Sequence, residues 1–276
     1  MTGMAPVSGL AGWRRTPFTA AGYTHDCYEK GKGPGVVLLP ELPGITPEVL
    51  GLADHLVAEG FTVVIPSLFG KPGQSGSPPH MAMVGARVCV SREFRAFALN
   101  ASRPVADFIK ALARDLKART PGPGIGVIGL CFTGGFALAA AVDDSILAPV
   151  LSEPSLPLPL TGAQRTDPGV SEEEMQQVVQ RTRDDGLCVL GLRFSEDRMA
   201  PKERFTTLTA RLGSAFDVIE LDSAQGNSGG FGQRAHAVLT HEVREKPDHP
   251  ALKARADVVA FLRDQLHAGE PTANTP

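Results

Sequence analysis

Short runs of apolar residues alternate along the chain with longer amphipathic stretches. Two of these runs are rich in β-branched residues: GVVLL at Gly35–Leu39 and FTVVI at Phe61–Ile65. Runs of this length and composition are typical of strands that are buried on both faces of a sheet. The same pattern predicts further strands at Ile125–Ile128, Ile146–Leu151, Leu187–Phe194 and Ala215–Leu221.

Stretches with helical periodicity separate these strands. Pro47–Glu59 begins with proline, spaces its apolar residues as a helix does and stops at Gly60. Similar signals predict helices at Arg103–Arg119, Thr133–Val142, Ser171–Arg183, Pro201–Leu212 and His249–His267. Phe18–Glu29 is predicted to form a hairpin on the sheet edge. The alternation predicts an α/β fold with a mostly parallel central sheet and helices on both faces.

Composition limits the class of protein. The chain has 276 residues, 42% hydrophobic and 21% charged, and a net charge of −3. These values predict one domain over residues 1–276, with residues 1–15 as a flexible lead-in or a surface strap. A slightly acidic chain with no basic cluster argues against a nucleic-acid partner. No apolar run approaches the roughly 20 residues of a membrane span, and the N-terminus does not resemble a signal peptide. A cytoplasmic location is therefore expected.

The cysteines are widely separated. Cys27, Cys89 and Cys188 lack the spacing of a metal site, and they are expected to be reduced and mostly buried thiols. No metal site is predicted.

Cys131 differs from the other cysteines because of its surroundings. It lies in VIGLCFTGG, where a strand, a glycine, the cysteine and further small residues lead into a helix. Such a turn lifts a nucleophile to the top of a sheet, where serine is the usual occupant. A thiol at a helix N-terminus faces backbone N–H groups and the positive end of the helix dipole, which favour thiolate. Cys131 is therefore the candidate nucleophile, although such a turn also has purely structural uses.

The partners of a nucleophile are expected at later strand ends, first an acid and then a histidine, as in the α/β-hydrolase fold. Asp197 follows the strand Leu187–Phe194, and His236 lies on the loop after Ala215–Leu221. The order and positions predict a Cys131–His236–Asp197 triad. Each residue alone has a plainer interpretation, with Asp197 as a helix cap and His236 as a surface histidine. Alternative residues for the acid and the base are Glu196, His241 and His249.

Residues after the first buried strand complete the predicted site. The loop that follows Gly35–Leu39 normally donates one backbone N–H to the oxyanion hole, and the residue after the nucleophile donates the other. By position these donors are the N–H groups of Leu42 and Phe132. Glu41 lies on the same loop, where a carboxylate at the top of a central strand faces the cleft.

One glycine pattern points elsewhere and is rejected. GIGVIG at residues 124–129 matches the dinucleotide-binding fingerprint in its letters. That fingerprint needs its strand before the first glycine, whereas the strand here lies inside the match. No nicotinamide or flavin site is therefore predicted.

These residues resemble the dienelactone hydrolase family. The resemblance is carried by LLPELPGI with Glu41, by GLCFTGG around Cys131 and by the pair Asp197 and His236, and it covers about residues 30–266. It implies an α/β-hydrolase that hydrolyses small lactones or esters without a cofactor. In this family the cysteine is the nucleophile, the histidine the base and the aspartate the orienting acid. The family's extra glutamate, here Glu41, holds the resting thiol and helps to form thiolate when substrate arrives.

The resemblance has one departure. Family members that cleave muconolactones carry an arginine four residues after the histidine, and this arginine pairs with the glutamate and helps to bind a substrate carboxylate. Thr240 occupies that position here. Substitutes for the missing charge are Arg244 and, as candidate substrate-binding residues, Arg87, Arg92 and Arg95.

Two other functions remain open at this stage. The chain could retain the fold as a non-catalytic binding module, or use the same triad for acyl transfer or peptide hydrolysis. The main prediction is a carboxylic ester hydrolase whose partner is a small ester or lactone, acting as a monomer or homodimer.

Overall fold

An eight-stranded sheet forms the centre of the molecule in a computed structural model that describes residues 4–75 and 104–267. The strands are β1 (Arg14–Ala20), β2 (Tyr23–Lys30), β3 (Gly35–Leu39), β4 (Thr62–Pro66), β5 (Ile125–Leu130), β6 (Ile146–Ser152), β7 (Val189–Phe194) and β8 (Phe216–Leu221). Their spatial order is β1-β2-β4-β3-β5-β6-β7-β8.

The sheet is parallel from β4 through β8 and antiparallel only at one edge. β1 and β2 form a hairpin, and β2 pairs antiparallel with β4. The pairs of β3 with β4 and β5, and then β5 through β8 in order, are all parallel. The carboxyl ends of β3, β5, β6 and β7 therefore lie at one edge, where the residues that follow them can meet.

Helices cover both faces of the sheet. They are α1 (Pro47–Ala58), α2 (Pro104–Arg119), α3 (Gly134–Ala140), α4 (Gly162–Thr166), α5 (Glu172–Asp184), α6 (Lys202–Leu212) and α7 (Pro250–Leu266). No helix within the described ranges is long and apolar enough to cross a membrane.

Alternation along the strands divides the buried side chains into two cores. Val36 and Leu38 of β3 pack with buried residues of α1 and α7, whereas Val37 and Leu39 pack on the opposite face with α2, α3, α5 and α6. These four β3 side chains are fully buried, and each such burial contributes about 1.5–3 kcal/mol. Strands buried on both sides explain the continuous apolar runs in the sequence.

The predicted elements are confirmed, with shifts mostly of one or two residues at their ends. The larger difference is at the edge hairpin, which extends back to Arg14. The helix predicted for Thr133–Val142 begins one residue later, at Gly134, because Cys131–Thr133 form a 3₁₀ turn. The short α4 was not predicted. Thr161 caps it by accepting a hydrogen bond from Gln164 N–H, while the Gln164 side chain accepts one from Thr161 N–H.

Ser8 and Trp13, before β1, contact the body of the protein. Ser8 N–H donates to the carbonyl of Pro47 at 2.9 Å, and Trp13 is buried beneath Lys30. Among the remaining cysteines, Cys27 is buried as expected, and burial raises its pKa to about 12. Cys188 is only partly buried, contrary to the prediction, and Cys89 lies outside the described residues.

Arg204 on α6 anchors the proline-rich segment after β6. Its side chain is fully buried, and burial lowers the pKa of its guanidinium to about 10. Nε donates to Asp167 O at 2.7 Å, Nη2 donates to Pro157 O at 2.6 Å and Gln164 O at 3.0 Å, and Nη1 donates to Pro154 O. One arginine therefore fixes both ends of residues 154–167, and its charge is compensated mainly by carbonyl dipoles.

We expect Arg204→Met to lower the free energy of unfolding by about 3 kcal/mol or more, because it leaves buried carbonyl groups without donors. Urea titration followed by circular dichroism measures the change. Arg211→Met on the same helix is the matched control. Arg211 is partly exposed and pairs with exposed Glu172, so its loss should cost less than about 1 kcal/mol. Equal effects of the two substitutions would show that Arg204 has no anchoring role.

Candidate active site

The turn after β5 holds Cys131 in a strained conformation. Its φ is 50°, in the left-handed region that side chains with a Cβ rarely adopt. The neighbouring glycines permit this turn because a Cβ on Gly129 would lie 2.4 Å from Thr133 O, and one on Gly134 would lie 2.8 Å from Pro154 Cα. A strained cysteine on a glycine-bounded turn has the geometry of a nucleophile elbow.

Thr133 ties this turn to the centre of the sheet. Its buried hydroxyl lies 3.0 Å from both Leu39 O and Leu130 O, and it accepts a hydrogen bond from Leu130 N–H at 2.9 Å. The ends of β3 and β5 are thus joined through one side chain. Leu42 and Phe132, the predicted oxyanion donors, lie just beyond these two strand ends.

Asp197 and His236 meet across the loops after β7 and β8. Asp197 Oδ2 accepts a hydrogen bond from His236 Nδ1 at 2.7 Å, and the Asp197 side chain is 3% exposed. Oδ1 accepts from the N–H groups of Met199 at 2.8 Å and Ala200 at 3.3 Å. The carboxylate therefore holds its own loop with one oxygen and orients the imidazole with the other, which combines the two interpretations of Asp197 from the sequence.

A buried arginine supports the loop that carries Asp197. Arg193 is 2% exposed. Its Nε donates to Ala200 O at 3.0 Å and its Nη2 to Ser195 O at 3.1 Å, and its Nη1 pairs with Glu220. The backbone on both sides of the acid is thereby fixed from beneath.

The charge on the Cys131 sulfur is among the interactions that set the pKa of His236. Burial alone lowers the pKa of His236, but a negative charge on the Cys131 sulfur raises it, as does the hydrogen bond to Asp197, and the net pKa lies well above its usual range. Nε2 of His236 is buried and has no conventional hydrogen-bond partner among the described residues. That nitrogen is therefore available to exchange a proton with the thiol.

The resting thiol contacts a serine that the sequence analysis did not identify. Cys131 Sγ lies 3.3 Å from Ser155 Oγ, and Ser155 N–H donates to Cys131 O at 3.1 Å. Of the described residues, Ser155 and not Glu41 lies within hydrogen-bonding distance of Sγ. The geometry thus differs from the resting arrangement that the family resemblance implied.

Glu41 is paired instead with the residue at the family's arginine position. Thr240 Oγ1 donates to Glu41 Oε1 at 2.6 Å, and both side chains are buried. Burial raises the pKa of Glu41, while the Thr240 hydroxyl and the nearby positive charges of His241 and His236 oppose the rise. A threonine in place of an arginine supplies Glu41 with a hydrogen bond but no countercharge.

Glu153 is a second buried carboxyl group that sequence analysis missed. It follows β6 directly, is fully buried and has a φ of 38°. Its Oε2 accepts from the Ser152 hydroxyl at 2.6 Å and from Val238 N–H at 3.1 Å, close to His236. Glu153, like Glu41, follows the carboxyl end of a core strand. That position in the sequence was the signal that could have identified it.

The remaining candidates lie outside this cluster. Glu196 and His241 are exposed, and His249 is the N-cap residue of α7. Arg244 Nη1 donates to the carbonyl oxygens of His241 and Val243 on its own loop. The predicted substrate-binding residues fall outside the described ranges: Arg87, Arg92 and Arg95. No group of acidic, histidine or cysteine side chains that could hold a metal ion occurs within residues 4–75 and 104–267.

Comparison with known sequences gives a family and a partial relative. The model of the dienelactone hydrolase family matches residues 21–237. Carboxymethylenebutenolidase from Rhodococcus opacus is 31% identical over 128 residues, which are 46% of this chain and 46% of that protein. The match thus spans about half the length of this curated relative.

Solved structures show the same fold at low identity. A dienelactone hydrolase-like promiscuous phosphotriesterase from metagenomic libraries, P91, aligns with a TM-score of 0.62 at 16% identity, covering 92% of this chain and 98% of that chain. Dienelactone hydrolase from Anabaena variabilis aligns with a TM-score of 0.56 at 13% identity, with the same two coverages. The α/β-hydrolase fold predicted from the sequence is therefore confirmed. Since the family model covers most of the chain, this protein belongs to the dienelactone hydrolase family.

Proposed function

We propose that the protein is a carboxylic ester hydrolase that acts on small lactones or esters through Cys131. The observation that supports this most strongly is the part-buried Asp197–His236 hydrogen bond of 2.7 Å, whose imidazole interacts with a strained cysteine on a nucleophile elbow. Cys131, His236 and Asp197 supply the nucleophile, the base and the orienting acid that acyl transfer to a cysteine needs. Family membership and the partial carboxymethylenebutenolidase relative favour the same activity.

In the first half of the reaction, His236 takes the proton of the Cys131 thiol, and the sulfur attacks the ester carbonyl carbon. The oxygen that becomes negative accepts hydrogen bonds from Leu42 and Phe132 N–H, the oxyanion donors that we assign by position. As the carbonyl re-forms, the bond to the alkoxy oxygen breaks. His236 gives its proton to that leaving oxygen, which stays attached to the acyl group when the substrate is a lactone.

In the second half, His236 takes a proton from water, and the resulting hydroxide attacks the thioester. The carbon–sulfur bond breaks, the carboxylic acid is released, and the proton on His236 returns to the sulfur. Asp197 holds Nδ1–H throughout, which leaves Nε2 to accept and donate protons. Every step is carried out by groups of this chain and needs no oxidant or cofactor.

The substrate that we propose is uncharged. Thr240 carries no charge, and its hydroxyl hydrogen bonds to Glu41, so this position gives no cation for a substrate carboxylate. The buried carboxyl groups Glu41 and Glu153 lie near His236 and interact with its charge. Glu41 and Glu153 themselves give a carboxylate in this place no countercharge to offset the hydration that it loses.

A panel of p-nitrophenyl esters and of lactones, graded in size and charge, tests this proposal. We expect turnover of p-nitrophenyl acetate and of an uncharged butenolide. We also expect kcat/KM to be at least about tenfold lower, roughly 1.4 kcal/mol, for a matched lactone that bears a carboxylate. If the protein hydrolyses no ester or lactone of the panel, a non-catalytic binding module is supported instead. Product analysis with a competing alcohol separates hydrolysis from acyl transfer.

The predicted single domain, cytoplasmic location and monomeric or dimeric state stay predictions.

A further inference from the structure

Buried carboxyl groups hold alternate residues of the loop that carries His236. Each carboxyl group lies just after the carboxyl end of a different parallel strand. The contacts join Asp197 to His236, Glu153 to Val238 and Glu41 to Thr240, at 2.7, 3.1 and 2.6 Å. The first contact orients the base itself, and the other two fix the backbone and a side chain just beyond it.

The middle contact rests on a residue with unusual features. Glu153 is fully buried, adopts a left-handed backbone conformation and directs one carboxyl oxygen to Val238 N–H. Its other oxygen, Oε1, is buried with no hydrogen-bond partner among the described residues. Backbone strain and an unpartnered polar atom both cost stability. A residue that only filled space could avoid both costs.

We propose that Glu153 is a positioning residue for the catalytic base and that it holds the His236 loop by accepting a hydrogen bond from Val238 N–H. The proposal rests on the assignment of His236 as the base in the proposed function. It adds a role that neither the triad nor Glu41 supplies, because it acts on the backbone that carries the imidazole.

The surroundings of Glu153 favour its neutral form. The charged or titratable groups that act on it are His236, on the loop it holds, and Glu41, at the end of β3; Cys131 and Asp197 lie at the strand ends on either side. Burial raises its pKa to about 8, and a negative charge on Glu41 adds to the rise, while His236 and the two hydrogen bonds oppose it. A neutral carboxyl group still accepts a hydrogen bond, so the Val238 contact does not need the charge.

This ionisation gives a pH dependence with a definite sign. In the unfolded chain a glutamate has its ordinary pKa of 4.5, whereas the folded value is about 8. Between these values the folded protein binds the extra proton, so stability falls as pH rises through this window. Glu153→Gln keeps an acceptor oxygen but cannot ionise. The difference in melting temperature between Glu153→Gln and the wild type should therefore grow in favour of the variant from about pH 5 to about pH 9.

Kinetics on p-nitrophenyl acetate test the positioning role. We expect Glu153→Ala to lower kcat between about 10- and 100-fold, because the base is no longer held in place, with KM changed less than about twofold. Glu153→Gln should retain kcat within about threefold at neutral pH, because it restores the acceptor. Glu172→Gln is the matched control for loss of an exposed carboxylate, and it should change neither kinetics nor the pH trend.

The rate of alkylation of the Cys131 peptide by iodoacetamide, followed by mass spectrometry, gives a readout that needs no ester turnover. Glu153→Ala should slow this reaction at neutral pH and Glu153→Gln should not, because a displaced imidazole no longer stabilises thiolate. An unchanged alkylation rate in Glu153→Ala overturns the positioning role of Glu153. It does so whether or not the protein hydrolyses esters, so this result is distinct from failure of the proposed function. A Glu153→Gln variant as impaired as Glu153→Ala overturns the neutral-acceptor role. If Glu153→Ala does not fold, the melting temperatures and alkylation rates of Glu153→Gln still test whether Glu153 acts as a hydrogen-bond acceptor without its charge.

Discussion

Cys131→Ala should abolish hydrolysis of p-nitrophenyl acetate, with a fall in kcat of at least about 10⁴-fold. In the proposed reaction the sulfur forms the acyl-enzyme, and an alanine methyl group cannot replace it. Water attacking directly would have only the oxyanion donors and substrate binding to help it. The measurement is initial-rate kinetics on a variant whose circular dichroism and melting temperature match those of the wild type.

Cys188→Ala is the matched control for Cys131→Ala. Cys188 is a partly buried thiol just before β7, and burial raises its pKa. It does not lie on the elbow, and among the described residues no imidazole is its hydrogen-bond partner. This variant should hydrolyse the ester at the wild-type rate. Turnover by Cys131→Ala within tenfold of the wild type would contradict the proposed chemistry. In that case the hydrolysis would come from a site other than the elbow.

Asp197→Asn should lower kcat between about 10³- and 10⁴-fold while KM stays nearly constant. The asparagine oxygen is expected to keep the hydrogen bonds from Met199 and Ala200 N–H, which places the amide NH₂ against His236 Nδ1. That group donates and cannot accept, so the imidazole must carry its proton on Nε2 instead. Nε2–H cannot take a proton from the thiol, and the base is lost although its position is retained. A crystal structure of the variant tests that last point.

The control for Asp197→Asn is its sequence neighbour Glu196→Gln. Glu196 was the alternative acid, and it is exposed in the structure, so its amide variant should keep full activity. The opposite pattern, with activity lost in Glu196→Gln and kept in Asp197→Asn, would make Glu196 the orienting acid. A second consequence concerns pH. Because the charges around His236 raise its pKa, loss of the Asp197 charge should shift the basic limb of the kcat profile to lower pH.

Much of the fold could be predicted because burial on both faces leaves a strong pattern. β3 and β5 have no exposed residue, so their apolar runs are continuous and identify a parallel sheet. Parallel strands end at one edge, and this rule, together with the order of nucleophile, acid and histidine in the α/β-hydrolase fold, predicted that Cys131, Asp197 and His236 lie together. Edge elements have weaker patterns, which is why the bounds of β1 could not be predicted.

The parts of the site that could not be predicted depend on contacts between side chains and backbone. Nothing in the sequence marks Ser155, the single serine of residues 154–167, as a contact of Sγ, because that contact depends on the path of the segment. Arg204 resembles any arginine on an amphipathic helix, yet its role is to bind carbonyl oxygens far away in sequence. Glu153 was detectable by its position after β6, but its burial was not, because glutamates are usually exposed.

The way Arg204 anchors residues 154–167 has a consequence for engineering. It binds main-chain oxygen atoms, which every amino acid has, so the anchor makes no demand on the side chains of the segment. Substitutions there can reshape the walls next to the nucleophile while the path of the chain is preserved. Libraries for altered substrate range are therefore best directed at the exposed positions of this segment, with Arg204 and Ser155 left unchanged.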